Sequence, residues 1–297
     1  MDIGLLSVSL NVYSTHRIAE EAQRRDHYIE LIDHMRCSVQ LGNGASRIFL
    51  DKDEITHSFD AIIPRIGTKV TAHGAMVVKQ FELNGIFSSA SSGGITRARN
   101  KVKTLQLLSR KKIPIVPTLI TVNPGTLEEQ IDLLGGPPVI IKLQEGTQGI
   151  GVILAETTRS ARSIVDTLNH MDTDILIQKY IEESNGEDLR LFVVGQKVVG
   201  SMKRYSAVGD FRSNMHRGGS AEAIIPTAQE THMALKAVKH LGLGIAGVDL
   251  VRSHKGPLLL EVNASPGLEA LEAATSKNIA KEIVCFVEKN AKIKRTL

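Results

Sequence analysis

Glu261-Val262-Asn263-Ala264-Ser265-Pro266-Gly267-Leu268-Glu269, with Asp249 upstream, sets hard oxygen ligands near the ends of two short apolar segments. Val248 to Val251 and Leu258 to Leu260 read as neighbouring strands, so Asp249, Glu261 and Asn263 can converge. Glu261 and Asn263 alternate with Val262, which places their side chains on one face of an extended segment and Val262 on the other. Ser265-Pro266-Gly267 then stops the strand. One acidic residue at a strand end is commonly just solvated. Two carboxylates and an amide together suit Mg²⁺, which takes such oxygens along with phosphate oxygens in an octahedral shell. The implied ligand is a metal nucleotide.

The remainder of the chain bounds this reading. Its 297 residues can bury a substantial core and suit two or three domains or subdomains. A hydrophobic content of 42% with 23% charged residues is that of a soluble globular protein. The N-terminus is a short apolar strand, Ile3 to Val8, without the basic and apolar regions of a secretion signal. No apolar run reaches the roughly 18 residues of a membrane span. A cytoplasmic protein with no membrane partner is expected. Cys37 and Cys285 form neither a redox pair nor a zinc pattern and read as packing residues. A net charge of +4 permits an acidic partner, but aromatics at 4% and no Trp leave few stacking platforms, so no direct nucleic-acid partner is expected. A homo-oligomer is compatible with these features.

Ile3 to about Gly85 alternates apolar strands with amphipathic segments, which predicts a small α/β domain with a mainly parallel sheet. The first strand runs into Ser9-Leu10-Asn11-Val12-Tyr13, with no glycine to admit a pyrophosphate, and no Walker sequence occurs, so nucleotide must bind elsewhere. Ser88-Ser89-Ala90-Ser91-Ser92-Gly93-Gly94 reads as a linker, because small residues cannot fill a core. Beyond it, a basic helix from Arg97 to about Lys111 is followed by the strand Val139-Ile140-Ile141-Lys142. The turn Gly146-Thr147-Gln148-Gly149-Ile150-Gly151 links that strand to Val152-Ile153-Leu154 as a hairpin.

Lys142 at a strand end, or three glycines in a hairpin, would mean little singly. Together, Gly146, Gly149 and Gly151 clear space for backbone N–H groups over phosphates, and Lys142 adds a point charge. Protein kinases use a comparable hairpin and lysine, yet no H-R-D catalytic loop is present and Gly209-Asp210-Phe211 has the wrong order for D-F-G. Lys101 is either a second phosphate ligand or part of a solvated basic face with Lys103 and Arg110. Arg212-Ser213-Asn214 lies in a polar loop that could bring a guanidinium to developing charge.

In order along the chain, Pro64-Arg65-Ile66-Gly67, Arg97-Ala98-Arg99-Asn100-Lys101, Lys142 with the glycine turn, Asp188-Leu189-Arg190, Gly209 to Asn214, His216-Arg217-Gly218-Gly219, Ala246-Gly247-Val248-Asp249 and Glu261 to Glu269 closely resemble the RimK type of ATP-grasp ligase. The resemblance implies an α/β domain over residues 1–94 and a two-subdomain α+β ATP-grasp fold over 95–297. The lid would span about 104–180 and the metal-binding part about 181–297. It implies that Lys101 and Lys142 contact ATP phosphates under a mobile glycine loop. The backbone at Lys179 and Tyr180 would read adenine, and Asp188 would meet the ribose. Arg212, Ser213 and Asn214 would face the reacting phosphate, with Arg212 catalytic. Asp249, Glu261 and Asn263 would hold Mg²⁺ or Mn²⁺, as two ions.

The activity implied by the resemblance is transfer of L-glutamate to the C-terminus of ribosomal protein S-6 through an acyl phosphate. A small-molecule amino-acid ligase of the same fold is the alternative, and a non-catalytic nucleotide-binding regulator a third. Two positions depart from the family pattern: Lys179 stands where Glu is expected, and Asn100 where Asp is expected beside Lys101.

Overall fold

Ile3, Leu5, Leu6, Ile62 and Ile63 have no more than 1% of their surface exposed in the computed structural model of the chain, as central strands of a sheet covered on both faces require. The structure describes residues 1–42, 45–120, 124–144, 151–171, 173–207 and 219–291. Strands β1 (Asp2–Leu6) and β2 (Tyr28–Ile32) are joined by helix α1 (Tyr13–Arg24). An antiparallel set follows, β3 (Cys37–Gly42), β4 (Ala45–Leu50) and β5 (Asp53–Glu54), before the chain returns to β6 (Ala61–Pro64), helix α2 (Thr71–Leu83) and β7 (Phe87–Ser88). The sheet order is β2-β1-β6-β7 and every pairing is parallel, as the alternating pattern predicts. The antiparallel β3–β5 set is an addition that the pattern does not announce.

Residues 88–94 are no loose linker. Ser89, Ala90 and Ser92 are buried, and the segment enters helix α3 (Ser92–Arg99) with Ser91 as its cap. Ser91 Oγ accepts the Gly94 N–H at 2.9 Å and donates to the Gly242 carbonyl at 2.7 Å. Arg97 Nη2 donates to the Leu241 carbonyl at 2.7 Å. Those carbonyls belong to the C-terminus of a later helix, so α3 satisfies acceptors that have no partner within that helix. Small residues are needed here for close approach: a Cβ on Gly94 would lie 2.6 Å from the Gly242 oxygen and 2.9 Å from that of Leu241. Gly94→Ala is therefore expected to cost about 1–3 kcal/mol by overpacking. Thermal melting checks this, and an unshifted transition would show that the junction yields freely.

The basic helix expected from Arg97 to Lys111 is broken at Asn100, which ends α3 and caps α4 (Lys101–Arg110) by accepting the Lys103 N–H at 2.9 Å. Asp would cap equally well, so the substitution beside Lys101 keeps the local geometry. A second sheet contains β8 (Thr118–Leu119), β9 (Val139–Leu143), β10 (Val152–Ala155) and β11 (Ile175–Lys179), in the order β10-β9-β11-β8. Helices α5 (Leu127–Leu133) and α6 (Thr158–His170) pack on it, around Leu127, Ile131, Val139, Ile141 and Val165.

The third sheet is antiparallel: β12 (Glu187–Val194), β13 (Lys197–Tyr205), β14 (Ser220–Ala223), β15 (Ile245–Ser253) and β16 (Gly256–Asn263), ordered β14-β13-β12-β15-β16. Leu189, Leu191, Val193, Val248, Leu250 and Leu259 send one face into a core shared with α7 (Ala228–Leu241). The other face is apolar at Phe192, Val194 and Ile245, where α8 (Glu269–Thr275) and α9 (Ile279–Asn290) cover it, and charged at Asp188, Arg190 and Asp249. One end of that face is thus left for a site.

Candidate functional site

The charged end of the third sheet is built by cross-strand register. Arg190 of β12 stands opposite Asp249 of β15, and Asp249 opposite Glu261 of β16. Directly opposed residues share a face, so the three side chains form one rung. A register shift between Asp249 and Leu250 bulges the pair, and both Leu260 and Glu261 line the cleft beside it. Val262 is buried in the core on the opposite side, as its alternation with Glu261 predicts.

Arg190 grips Asp249 in a fork, Nε to Oδ1 at 2.7 Å and Nη2 to Oδ2 at 2.6 Å. Arg204 of β13 grips Asp188 likewise, at 2.6 and 2.7 Å, and reaches Asp249 Oδ2 at 3.0 Å. Burial opposes ionisation of Asp249, but Arg190 and then Arg204 outweigh it and hold the carboxyl down at about 2. Burial likewise disfavours charge on Arg204, yet Asp249 and Asp188 raise its pKa above the ordinary guanidinium value. The ribose role expected for Asp188 competes with this fork, which engages both of its oxygens.

Asn263 donates its amide N–H to Glu261 Oε1 at 3.0 Å, which turns the Asn263 carbonyl oxygen outward from that bond. Among the described residues Glu261 Oε2 accepts no hydrogen bond, and Asp249 Oδ1 accepts one. Each oxygen has two lone pairs, so Glu261, Asn263 and Asp249 each retain a site for a hard cation. The donor set fits Mg²⁺.

These groups face a cleft of about 990 Å³ whose lining includes Lys101, Lys142, Lys179, Tyr180, Asp188, Asp249, Glu261 and Asn263. That volume is ample for a nucleotide. Lys142 reaches it from β9 and Lys101 from the first turn of α4, where its Nζ donates to the Gln144 carbonyl at 3.3 Å. Burial pushes the Lys142 ammonium down, partly offset by Glu261, and Lys101 pushes it further. Lys179 is exposed although it lines the cleft, so the departure at this position buries no charge. The Lys179 and Tyr180 N–H groups donate to the carbonyls of Pro117 and Pro138, at 2.9 and 3.3 Å. Among the described residues the next amide, that of Ile181 in the cleft wall, meets no acceptor, so it is the free donor of this segment.

Gly151 has φ +73°, and a Cβ there would lie 2.4 Å from Leu143 Cγ, so its glycine closes the hairpin. Gly146, Gly149, Arg212, Ser213 and Asn214 lie outside the described residues. Sequence reasoning missed Arg204 and Ile181 and gave Arg99 and Arg190 no role, although Asp188 and Arg190, two apart in an apolar strand, carry the period of one face.

Among the described residues no helix is long and apolar enough to cross a membrane. Residues 1–95 match the RimK PreATP-grasp domain and residues 98–287 the RimK-like ATP-grasp domain. A probable alpha-L-glutamate ligase of Vibrio cholerae serotype O1 is 47% identical over 296 residues, covering 100% of this chain and 98% of that protein. The fold is also that of the ATP-grasp ligase PsnB complexed with minimal precursor, Mg and ADP, with a TM-score of 0.75, 18% identity and 97% of each chain covered. A RimK domain ATP-grasp protein of Sphaerobacter thermophilus gives a TM-score of 0.72 at 20% identity, over 96% of this chain and 99% of that one. The chain belongs to the RimK-like ATP-grasp family, the family of the probable alpha-L-glutamate ligases, and is an ATP-dependent ligase.

Proposed function

We propose that this ligase adds L-glutamate to the C-terminal carboxylate of ribosomal protein S-6 in the cytoplasm. The observation that carries the reading is the meeting of Lys101 and Lys142 with Asp249, Glu261 and Asn263 in one cleft, in a chain 47% identical to a probable alpha-L-glutamate ligase. The PsnB structure, of the same fold, is complexed with a precursor, Mg and ADP, which supports a peptide acceptor and a magnesium nucleotide here. Residues 1–94 would serve as one unit and 95–297 as the ATP-grasp unit, its lid spanning about 104–180.

Chemically, an acceptor carboxylate oxygen attacks the γ-phosphorus of ATP, the bond to the bridging oxygen breaks and ADP leaves. The glutamate amine then attacks the acyl carbon, phosphate departs with the bonding pair, and the nitrogen gives up its proton. Lys101 and Lys142 hold phosphate oxygens as point charges, and the Ile181 N–H offers a donor to the adenine ring. Asp249, Glu261 and Asn263 would hold Mg²⁺ or Mn²⁺, as two ions. Bound metal neutralises phosphate charge during in-line transfer. Arg190 and Arg204 keep Asp249 ionised and fixed in one rotamer. Arg212, with Ser213 and Asn214, serves the reacting phosphate, where a preorganised donor contributes about 3–4 kcal/mol.

Incubation of the enzyme with ATP, Mg²⁺, glutamate and ribosomal protein S-6 should give a ladder of single glutamyl increments, read by intact mass. Efficient ligation of a small carboxylate with the ribosomal protein left unmodified would overturn the acceptor assignment while leaving the ATP chemistry in place.

A further inference from the structure

Arg65 and Arg99 line the same cleft as the metal-binding oxygens, and the chemistry above gives neither a task. Arg65 follows β6; its main-chain N–H donates to the Leu6 carbonyl at 2.8 Å and its Nη2 to the Pro266 carbonyl at 2.7 Å. The guanidinium is thereby tied to the loop that follows Asn263. Arg99, in the last turn of α3, donates Nη2 to the Ile66 carbonyl at 2.6 Å and Nη1 to Thr68 Oγ1 at 2.9 Å. Its Nε is buried and has no acceptor among the described residues.

Arg17, Arg25, Arg190, Arg204 and Arg252 each pair with a carboxylate. Neither Arg65 nor Arg99 has a carboxylate partner within ion-pair distance among the described residues. Burial pushes Arg65 down to about 10, and the charge of Arg99 adds to the effect. Burial also lowers Arg99, with Glu261 partly offsetting it. Two cations held by neutral carbonyls and a hydroxyl carry an uncompensated desolvation cost, which an anion from outside the chain would offset.

We propose that Arg65 and Arg99 bind the carboxylates of the incoming amino acid and so select an acidic nucleophile. The proposal rests on the ligase reading above. Three kinds of anion enter such a cleft. The triphosphate is served by Lys101, which reaches Gln144 and β9, whereas Arg99 two residues earlier reaches Ile66 and Thr68. Asn100 caps the helix between them and sends the two cations to different walls. The acceptor carboxylate is converted into a neutral amide, so a fixed guanidinium pair serving it would lose its counter-ion on turnover. The carboxylates of glutamate keep their charge throughout. Forked donors on a planar guanidinium match them.

Two assays on one enzyme test this, with a short peptide ending in glutamate as acceptor. In the first, glutamate is the nucleophile and its KM is measured. In the second, hydroxylamine replaces glutamate and traps the acyl phosphate as hydroxamate, a reaction that uses no amino acid. Arg65→Gln and Arg99→Gln should raise the KM for glutamate at least about 30-fold, the lower range for unpairing a buried charge. Hydroxamate formation should change less than about 3-fold, and the preference for glutamate over glutamine should collapse to a similar factor by the same loss of pairing. Arg65→Lys and Arg99→Lys, which keep the cation, should fall between and guard against a glutamine variant that fails to fold. Equal loss of both reactions would assign the pair to acceptor or phosphate, and an unchanged glutamate KM would remove it from substrate binding. A wild-type enzyme that forms hydroxamate but no glutamyl peptide would overturn the glutamate reading and this proposal together. One inactive in both assays would overturn the peptide-acceptor reading on which this proposal rests.

Discussion

Glu261→Ala is expected to reduce glutamyl transfer by about a thousandfold or more, since several kcal/mol of phosphoryl-transfer stabilisation depend on the metal it is proposed to hold. The melting temperature should hardly move. Glu261 sits at the end of β16 with a half-buried side chain, its one side-chain bond among the described residues is from Asn263, and the apolar packing of the strand is done by Leu259 and Val262 on the other face. The substitution also removes the negative charge that partly offsets the burial of Lys142, so the lysine should become still easier to deprotonate. Activity against Mg²⁺ concentration and thermal melting, measured on the same preparation, check both halves. Near-normal turnover at low Mg²⁺ would take Glu261 out of the metal site.

Arg204→Met should have the opposite profile, a large loss of stability along with activity. Arg204 is 5% exposed and joins two buried carboxylates, Asp188 at 2.6 Å and Asp249 at 3.0 Å. Removing one partner of such a pair leaves an uncompensated charge and costs about 3–5 kcal/mol. For a chain of this size that is a fall of about 10 °C in melting temperature. Arg204→Met combined with Asp188→Leu replaces both ends by apolar groups and should recover most of the stability, while ligation stays low because Asp249 is no longer held by two arginines. The pH profile carries the same signature. Asp249 is depressed from 3.8 to about 2, so its contribution is fully present above 3.8 and is lost as pH falls through about 2. A single variant that melts normally, or a double variant no more stable than the single, would contradict the account of this network.

The contrast between these residues shows what a sequence can and cannot carry. Glu261, Val262 and Asn263 were legible because their sorting depends on strand periodicity, a local property. Lys142 was legible because it ends an apolar strand. The partner of Asp188 was not. A two-residue turn at Gly195-Gln196 sets Val194 opposite Lys197 and, continued without interruption, would bring Lys203 opposite Asp188. The register shifts between Phe192 and Val193, and Arg204 arrives there instead. One bulge therefore moves a cation from one face to the other.

The serine- and glycine-rich segment misled for a related reason. Small residues suit loops, but they also suit close contact between backbones, and only the position of the α7 terminus shows that Gly94 is used for the second purpose. Tertiary contact alone reveals Arg99, whose anchors Ile66 and Thr68 lie more than 30 residues earlier. The β3–β5 set, much of it exposed, offered too weak an alternation to be read.

The acyl-phosphate mechanism is tested most directly by the nucleotide left after turnover. With glutamate and acceptor present, chromatography should resolve ADP and inorganic phosphate, each formed in step with glutamyl residues incorporated. Stoichiometric AMP and pyrophosphate would mean that the carboxylate is activated at the α-phosphorus, and the reading of this cleft as a γ-phosphoryl-transferring ligase site would be wrong.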